Sequence, residues 1–295
     1  MSSHAHERRP TLRIRLATAP GYSYFVGSAV FHYLGPAFAV LLFARVAPLG
    51  VAWLRIATAA AVYAAWRRPW HDWRLLDRHG RQTIAAMGAT LAVMNTCFYL
   101  AIARLPLATV AAIEFLPVIA LAALGARTMR NTLALALAVA GVYLLTDIRL
   151  HGQPLGIVLA FCNAGLFALY IVLAHRVARL ERMGGIDGLA AAMLVAALVV
   201  TPIGGWSAAP ALADPIALVA AVGVAVSSSV IPYVCDQLAM ARMARSTYAL
   251  LVSLLPATAT VVGVIVLAQL PTPMEVVAIA LVIGGVALHQ EGKRA

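Results

Sequence analysis

Apolar residues in this chain come in long blocks, and polar residues gather in the short gaps between them. Ten blocks stand out: 21–44, 48–66, 83–103, 106–127, 131–147, 154–176, 186–204, 214–241, 246–269 and 273–289. Each is close to the ~20 apolar residues that one helix needs to cross a bilayer core. Pro48, Pro106 and Pro154 open three of the blocks, and an Arg-Leu-Pro corner at 104–106 joins the third to the fourth. The pattern predicts an all-α, polytopic membrane protein of ten transmembrane helices. Residues 1–20 form a polar arm with Arg8, Arg9, Arg13 and Arg15. The block after it has no small-residue cleavage site, which predicts an uncleaved first span, not a signal peptide.

Composition agrees, with 63% of residues hydrophobic, 11% charged and a mean hydropathy of +0.90. A soluble domain has no use for that much apolar surface. Ten spans of ~20 residues consume roughly 200 of the chain, so loops are short and no appended soluble domain fits. The net charge of +11 is spread over the loops, where it reads as a topology signal, not as a nucleic-acid surface. With the amino terminus inside, the cytoplasmic segments hold eighteen basic residues against three outside, Arg45, Arg104 and Arg149. That bias predicts both termini in the cytoplasm.

Cys97, Cys162 and Cys235 lie inside apolar blocks without metal-ligand spacing and read as packing residues. The only lysine is Lys293, so no phosphate-binding loop with its lysine exists, and an ATP-driven motor is excluded. Neither paired aspartates nor a His-Glu-x-x-His run is present, which argues against an intramembrane enzyme. No cofactor or metal is expected. The expected partners are the lipid bilayer and a small-molecule substrate, with a homodimer compatible with both.

The two halves echo each other. LAVAGVYL at 137–144 matches LVIGGVAL at 281–288, and AIARLPLAT at 101–109 resembles AMARMARST at 239–247; Pro117 and Pro256 follow in the next spans. Five spans per half is an odd number, so the halves would insert in opposite orientations. The expected organisation is a cytoplasmic arm (1–20), two inverted five-helix repeats (21–147 and 154–289) and a cytoplasmic tail (290–295). In such proteins the binding site lies at the repeat interface near the midplane.

Counted at ~1.5 Å per residue from the predicted outer ends, Arg55, Asn95, Glu114 and Asn163 share one depth near mid-bilayer. Ionisable side chains at that depth are costly and mark functional sites by default. Arg55 could grip a substrate carboxylate or hold Glu114 ionised, and a purely structural ion pair is the competing reading. Glu114 is the candidate proton-coupling carboxylate. Asn95 and Asn163 either line the cavity or bond helix to helix. Tyr33, Phe98, Tyr99, Tyr170 and Tyr233 could wall a pocket, and His32 could titrate there or simply pack. Asp236 is a second acidic candidate nearer the cytoplasmic end. Ser227, Ser228 and Ser229 ahead of Pro232 mark a place where a helix loosens. Trp53, Trp66, Trp70, Trp73 and Trp206 suit interfacial belts.

The stretches FYLAIARLPLATVAAIEF, IPYVCDQLAMARM and AQLPTPMEVVAIALVIGGVAL resemble EamA-type members of the drug/metabolite transporter superfamily. Within it the likeness is greatest to threonine/homoserine exporters of the bacterial inner membrane, and it runs over nearly the whole chain. The resemblance implies a ten-helix fold of two inverted five-helix repeats and export of amino acids or related metabolites. With Glu114 as the coupling carboxylate the expected mode is proton antiport; the alternative is an uncoupled facilitator or a multidrug/metabolite efflux carrier of the same fold. It carries over to Arg55 in WLRIATAA, to Asn95, Phe98, Tyr99, Pro106, Glu114 and Phe115, to Ala168 and Tyr170, and to Pro232, Tyr233, Arg242, Ser253, Pro256 and Ala257. Asp236 stands where these exporters have glutamate. Val40 replaces a lysine of the family pattern, and Leu255 and Gln269 replace two glutamates, changes that bear on the substrate more than on the fold.

Overall fold

A computed structural model of the protein describes residues 21–74, 76–125, 128–150, 153–180, 183, 185–240, 242, 251 and 254–288. The expected arm, the tail and the start of the ninth block, with Ser253, lie outside the described residues. Every regular element among the described residues is helical. The long helices are α1 (Gly21–Leu42), α2 (Pro48–Arg67), α3 (Arg78–Ile102), α4 (Leu107–Gly125), α5 (Met129–Leu150), α6 (Pro154–Val177) and α7 (Ile186–Gly204). They continue with α8, which runs Pro215–Ala225, a π turn Val226–Val230 and Ile231–Met240, then α9 (Leu255–Leu267) and α10 (Pro273–Leu288). One-turn helices Trp70–Trp73 and Ala209–Leu212 ride in two of the connections.

Among the described residues six helices are long and apolar enough to cross a membrane: α1, α2, α3, α6, α7 and α8 up to Asp236. The apolar stretches Leu107–Pro117, Met129–Leu144, Leu255–Leu267 and Pro273–Leu288 are shorter. The chain therefore builds a polytopic helical membrane protein.

Helix starts follow from local chemistry. Proline occupies the first turn of α2, α6 and α8, where its missing N–H costs nothing. The Asp77 carboxylate accepts from Gly80 N at 2.8 Å, so α3 begins five residues before its apolar block does. The Asp214 carboxylate accepts from Ile216 N and Ala217 N and also takes Arg45 Nη1 at 3.0 Å. A capping box starts α10: Thr272 N donates to Glu275 Oε2, and Glu275 N donates back to Thr272 Oγ1.

Small residues let the helices approach closely, as membrane packing requires. The packing partners are α2 with α7, α3 with α6 and α7, α4 with α5, α6 and α9, α5 with α10, and α8 with α1 and α2. A close seam joins α5 to α10. A Cβ at Gly141 would fall 2.5 Å from Ala278 O, and one at Gly285 would fall 2.6 Å from Ala134 O, so only glycine fits at either place. One spacing relates both contacts: it carries Gly141 to Gly285 and Ala134 to Ala278. The same spacing carries Thr128 to Thr272 and Asn131 to Glu275, and Asn131 N donates to Thr128 Oγ1 as Glu275 N does to Thr272 Oγ1. Asn131 and Glu275 are both buried.

Candidate substrate site

Arg55 sits in the middle of α2 and is 9% exposed. Its Nη1 donates to Asn95 Oδ1 on α3 at 2.6 Å, and Asn95 Nδ2 donates in turn to Leu91 O. Its other edge faces α8, where Nε donates to Ser229 Oγ at 2.9 Å and Nη2 to Ser228 O at 3.2 Å. The guanidinium lies 5.4 Å from the centre of the Tyr99 ring, a cation–π contact.

Pro232 removes one backbone donor beside the α8 acceptors. In an α-helix the Ser228 carbonyl would accept from the N–H four residues on, and proline has none. The helix widens into the π turn at that point, with Ile231 N bonded to Val226 O. Ser227 and Ser228 hydroxyls bond back to Val224 O. Two carbonyls of this turn accept from α2 side chains: Ser228 O from Arg55 and Ser229 O from the Tyr63 hydroxyl at 3.1 Å.

Glu114 on α4 is buried, and its Oε1 accepts from Asn163 Nδ2 on α6 at 3.1 Å. Arg55 makes its hydrogen bonds to Asn95 and α8, not to Glu114, but its charge acts on Glu114. The four residues placed at one depth thus form two pairs, Arg55–Asn95 and Glu114–Asn163, facing one interior. Phe115 packs edge-on to Phe167, which stacks on Tyr170, forming an aromatic wall beside the carboxylate. Tyr233 lies within electrostatic reach of Tyr170, Asp236, Arg55 and Glu114. Asp236 and Arg55 both act on His32, so these residues share one polar interior. Asp236 is half-buried.

Some buried polar atoms here lack a partner among the described residues. Tyr33 Oη and Asn163 Oδ1 have none, and Tyr99 Oη meets none in good geometry although Arg55 and Ser228 are its neighbours. Leaving a buried polar group unpaired costs about 1–3 kcal/mol, which sets these three atoms apart from the bonded polar groups around them. Among the described residues no group of three or more histidine, cysteine or acidic side chains could hold a metal.

Sequence reasoning gave the three serines mainly a structural part. The sharper signal was Pro232, whose spacing to Ser228 names the carbonyl it frees. Tyr63 was not singled out, being one tyrosine among apolar neighbours. Gln269, noted as a departure from the family, accepts from Leu107 N at 3.0 Å and so ties α9 to the first residue of α4.

A helical bundle of apolar spans around a buried arginine and a buried carboxylate is the build of a membrane transporter. The chain belongs to the EamA-like transporters of the drug/metabolite transporter superfamily; the EamA-like transporter family matches residues 154–289. It is 32% identical over 253 residues to the threonine/homoserine exporter RhtA of Escherichia coli strain K12, covering 84% of each chain. The same identity and coverage hold for the exporter of that name from Salmonella typhimurium strain LT2. One solved crystal structure superposes with a TM-score of 0.58 at 18% identity, over 92% of this chain and 96% of the other, a likeness of fold.

Proposed function

We propose that the protein exports small amino acids of the threonine or homoserine kind, or related metabolites, across the cytoplasmic membrane, in exchange for protons. The observation that carries this reading is the buried, oppositely charged pair of centres, Arg55 and Glu114, with unpartnered Tyr33 and Asn163 atoms beside them. Arg55 supplies the fork for a carboxylate, and Glu114 is the proton carrier. Tyr99, Tyr170, Tyr233 and Asp236 complete the lining with Asn95 and Asn163. The name and extent of the RhtA relatives support the substrate class.

The same reading takes the chain as ten spans in two inverted repeats, 21–147 and 154–289, with an arm and a tail on the cytoplasmic side. The equal spacing of Thr128/Thr272, Asn131/Glu275, Ala134/Ala278 and Gly141/Gly285 across α5 and α10 supports it. So does the packing scheme: exchanging each helix with the one five places on turns α4 against α6 into α9 against α1, both of which occur.

The test is an export panel. Cells sensitive to single amino acids are made to express the protein, and everted vesicles from them are assayed for uphill accumulation. Resistance to threonine or homoserine, with accumulation that collapses when the proton gradient is dissipated, is the expected result. Accumulation that ignores the gradient would leave a facilitator of the same fold. Failure to move any amino acid would end the substrate reading.

A further inference from the structure

The edge of a guanidinium formed by Nε and Nη2 is the edge that takes both oxygens of a carboxylate. In this protein that edge is filled by two oxygens of one turn, Ser229 Oγ at 2.9 Å and Ser228 O at 3.2 Å. The π turn thus stands where a carboxylate would. It is held there from the other side by α1, since Gly35 lies directly against Ser228 with no room for a side chain between them.

A carboxylate is a stronger partner for arginine than a hydroxyl and a carbonyl together, because both charges are formal. Taking Arg55 away, however, costs buried Ser228 O its side-chain donor, and Pro232 offers no N–H at the α-helical position to replace it. A simple carboxylate would bring that penalty with it, and a simple amine would satisfy the carbonyl but leave the Nε–Nη2 edge of Arg55 short of acceptors. A molecule carrying both charges side by side leaves neither group unsatisfied.

We propose that Ser228, Ser229 and Pro232 form a zwitterion-selective subsite: the ligand enters the Arg55–α8 contact, its carboxylate replacing Ser229 Oγ and Ser228 O on Arg55 and its ammonium replacing Arg55 on Ser228 O. This rests on the reading of the chain as an amino-acid transporter and assigns the ammonium to a backbone carbonyl of α8, not to Glu114. Glu114 stays free for its proton. Making room moves α8 off α2 by roughly one hydrogen-bond length, ~3 Å, and the π turn is where the helix can take up that change of register. The Tyr99 ring and Asn95 keep Arg55 in place throughout, because neither lies on the edge that changes partners.

The experiment measures binding of threonine, N-acetylthreonine and threoninol to the purified full chain, in the unsubstituted protein and in Pro232→Ala and Ser229→Ala. Threonine should bind about tenfold or more tighter than either analogue, the size expected when one buried polar group is left unpaired. Pro232→Ala restores the N–H that reclaims Ser228 O. It should cut the preference for threonine over N-acetylthreonine by about tenfold, chiefly because N-acetylthreonine binds tighter once Ser228 O keeps a donor. Ser229→Ala removes one oxygen that the carboxylate must displace, and threonine should bind a fewfold tighter. Full discrimination in Pro232→Ala, or weaker threonine binding in Ser229→Ala, overturns the subsite while leaving amino-acid transport intact. No binding of threonine or homoserine by the unsubstituted protein overturns the amino-acid reading itself, and the subsite with it.

Discussion

Arg55 has three acceptors arranged around a planar group, so lysine at this position tests geometry apart from charge. An ammonium donates from a single point and cannot reach Asn95 on one side and Ser228 and Ser229 on the other at once. Arg55→Lys is expected to lower the initial transport rate about tenfold or more, since hydrogen bonds to a charged group are worth about 1.5–3 kcal/mol, with normal insertion. Rates in vesicles matched for protein content check it. Glu114→Gln keeps the acceptor for Asn163 Nδ2 and removes only the exchangeable proton. Uphill accumulation should fall to the equilibrium ratio while downhill exchange continues, and an unchanged ratio would retire Glu114 as the proton carrier. Depth along the helix axis was enough to put Arg55, Asn95, Glu114 and Asn163 level with one another in the sequence. It said nothing of which would pair, because rise per residue is silent on how helices cross.

At the scale of the helix, two neighbouring glycines make opposite predictions. A Cβ at Gly285 meets Ala134 O at 2.6 Å, whereas one at Gly284 meets nothing within 4 Å. Gly285→Ala should lower thermal stability in detergent, by about 1–3 kcal/mol for an overpacked contact. Gly284→Ala should leave it unchanged or raise it by up to ~1 kcal/mol, the helix-propensity difference. Equal effects would mean that the α5–α10 seam is not close-packed there. Most helices were legible from their apolar blocks, and the Gly-Gly pair was visible as an echo of Gly141. The extra turns of α3 were not, because Asp77 caps the helix ahead of the apolar run. The π turn was legible as a weak place from Ser227 to Pro232, but its register depends on Arg55 and Tyr63 reaching it from another helix.

For the whole molecule, the positive residues of the loops predict a topology that reporter fusions can read. Fluorescent-protein fusions within 67–81 should fluoresce, as on the cytoplasmic side, and fusions near Arg45 or Arg104 should stay dark. The reverse pattern would place the amino terminus outside, and a mixture would overturn the predicted order of spans. The α5–α10 seam has a further consequence. Wherever its two sides are interchangeable, they impose no preference for loading a solute from one compartment over the other. Among the buried polar positions of this seam the match breaks where neutral Asn131 answers acidic Glu275. In a proton exchanger the gradients set the sign of net flux, so exchanging those two side chains would shift the balance between inward- and outward-facing states and leave the direction of pumping as it is.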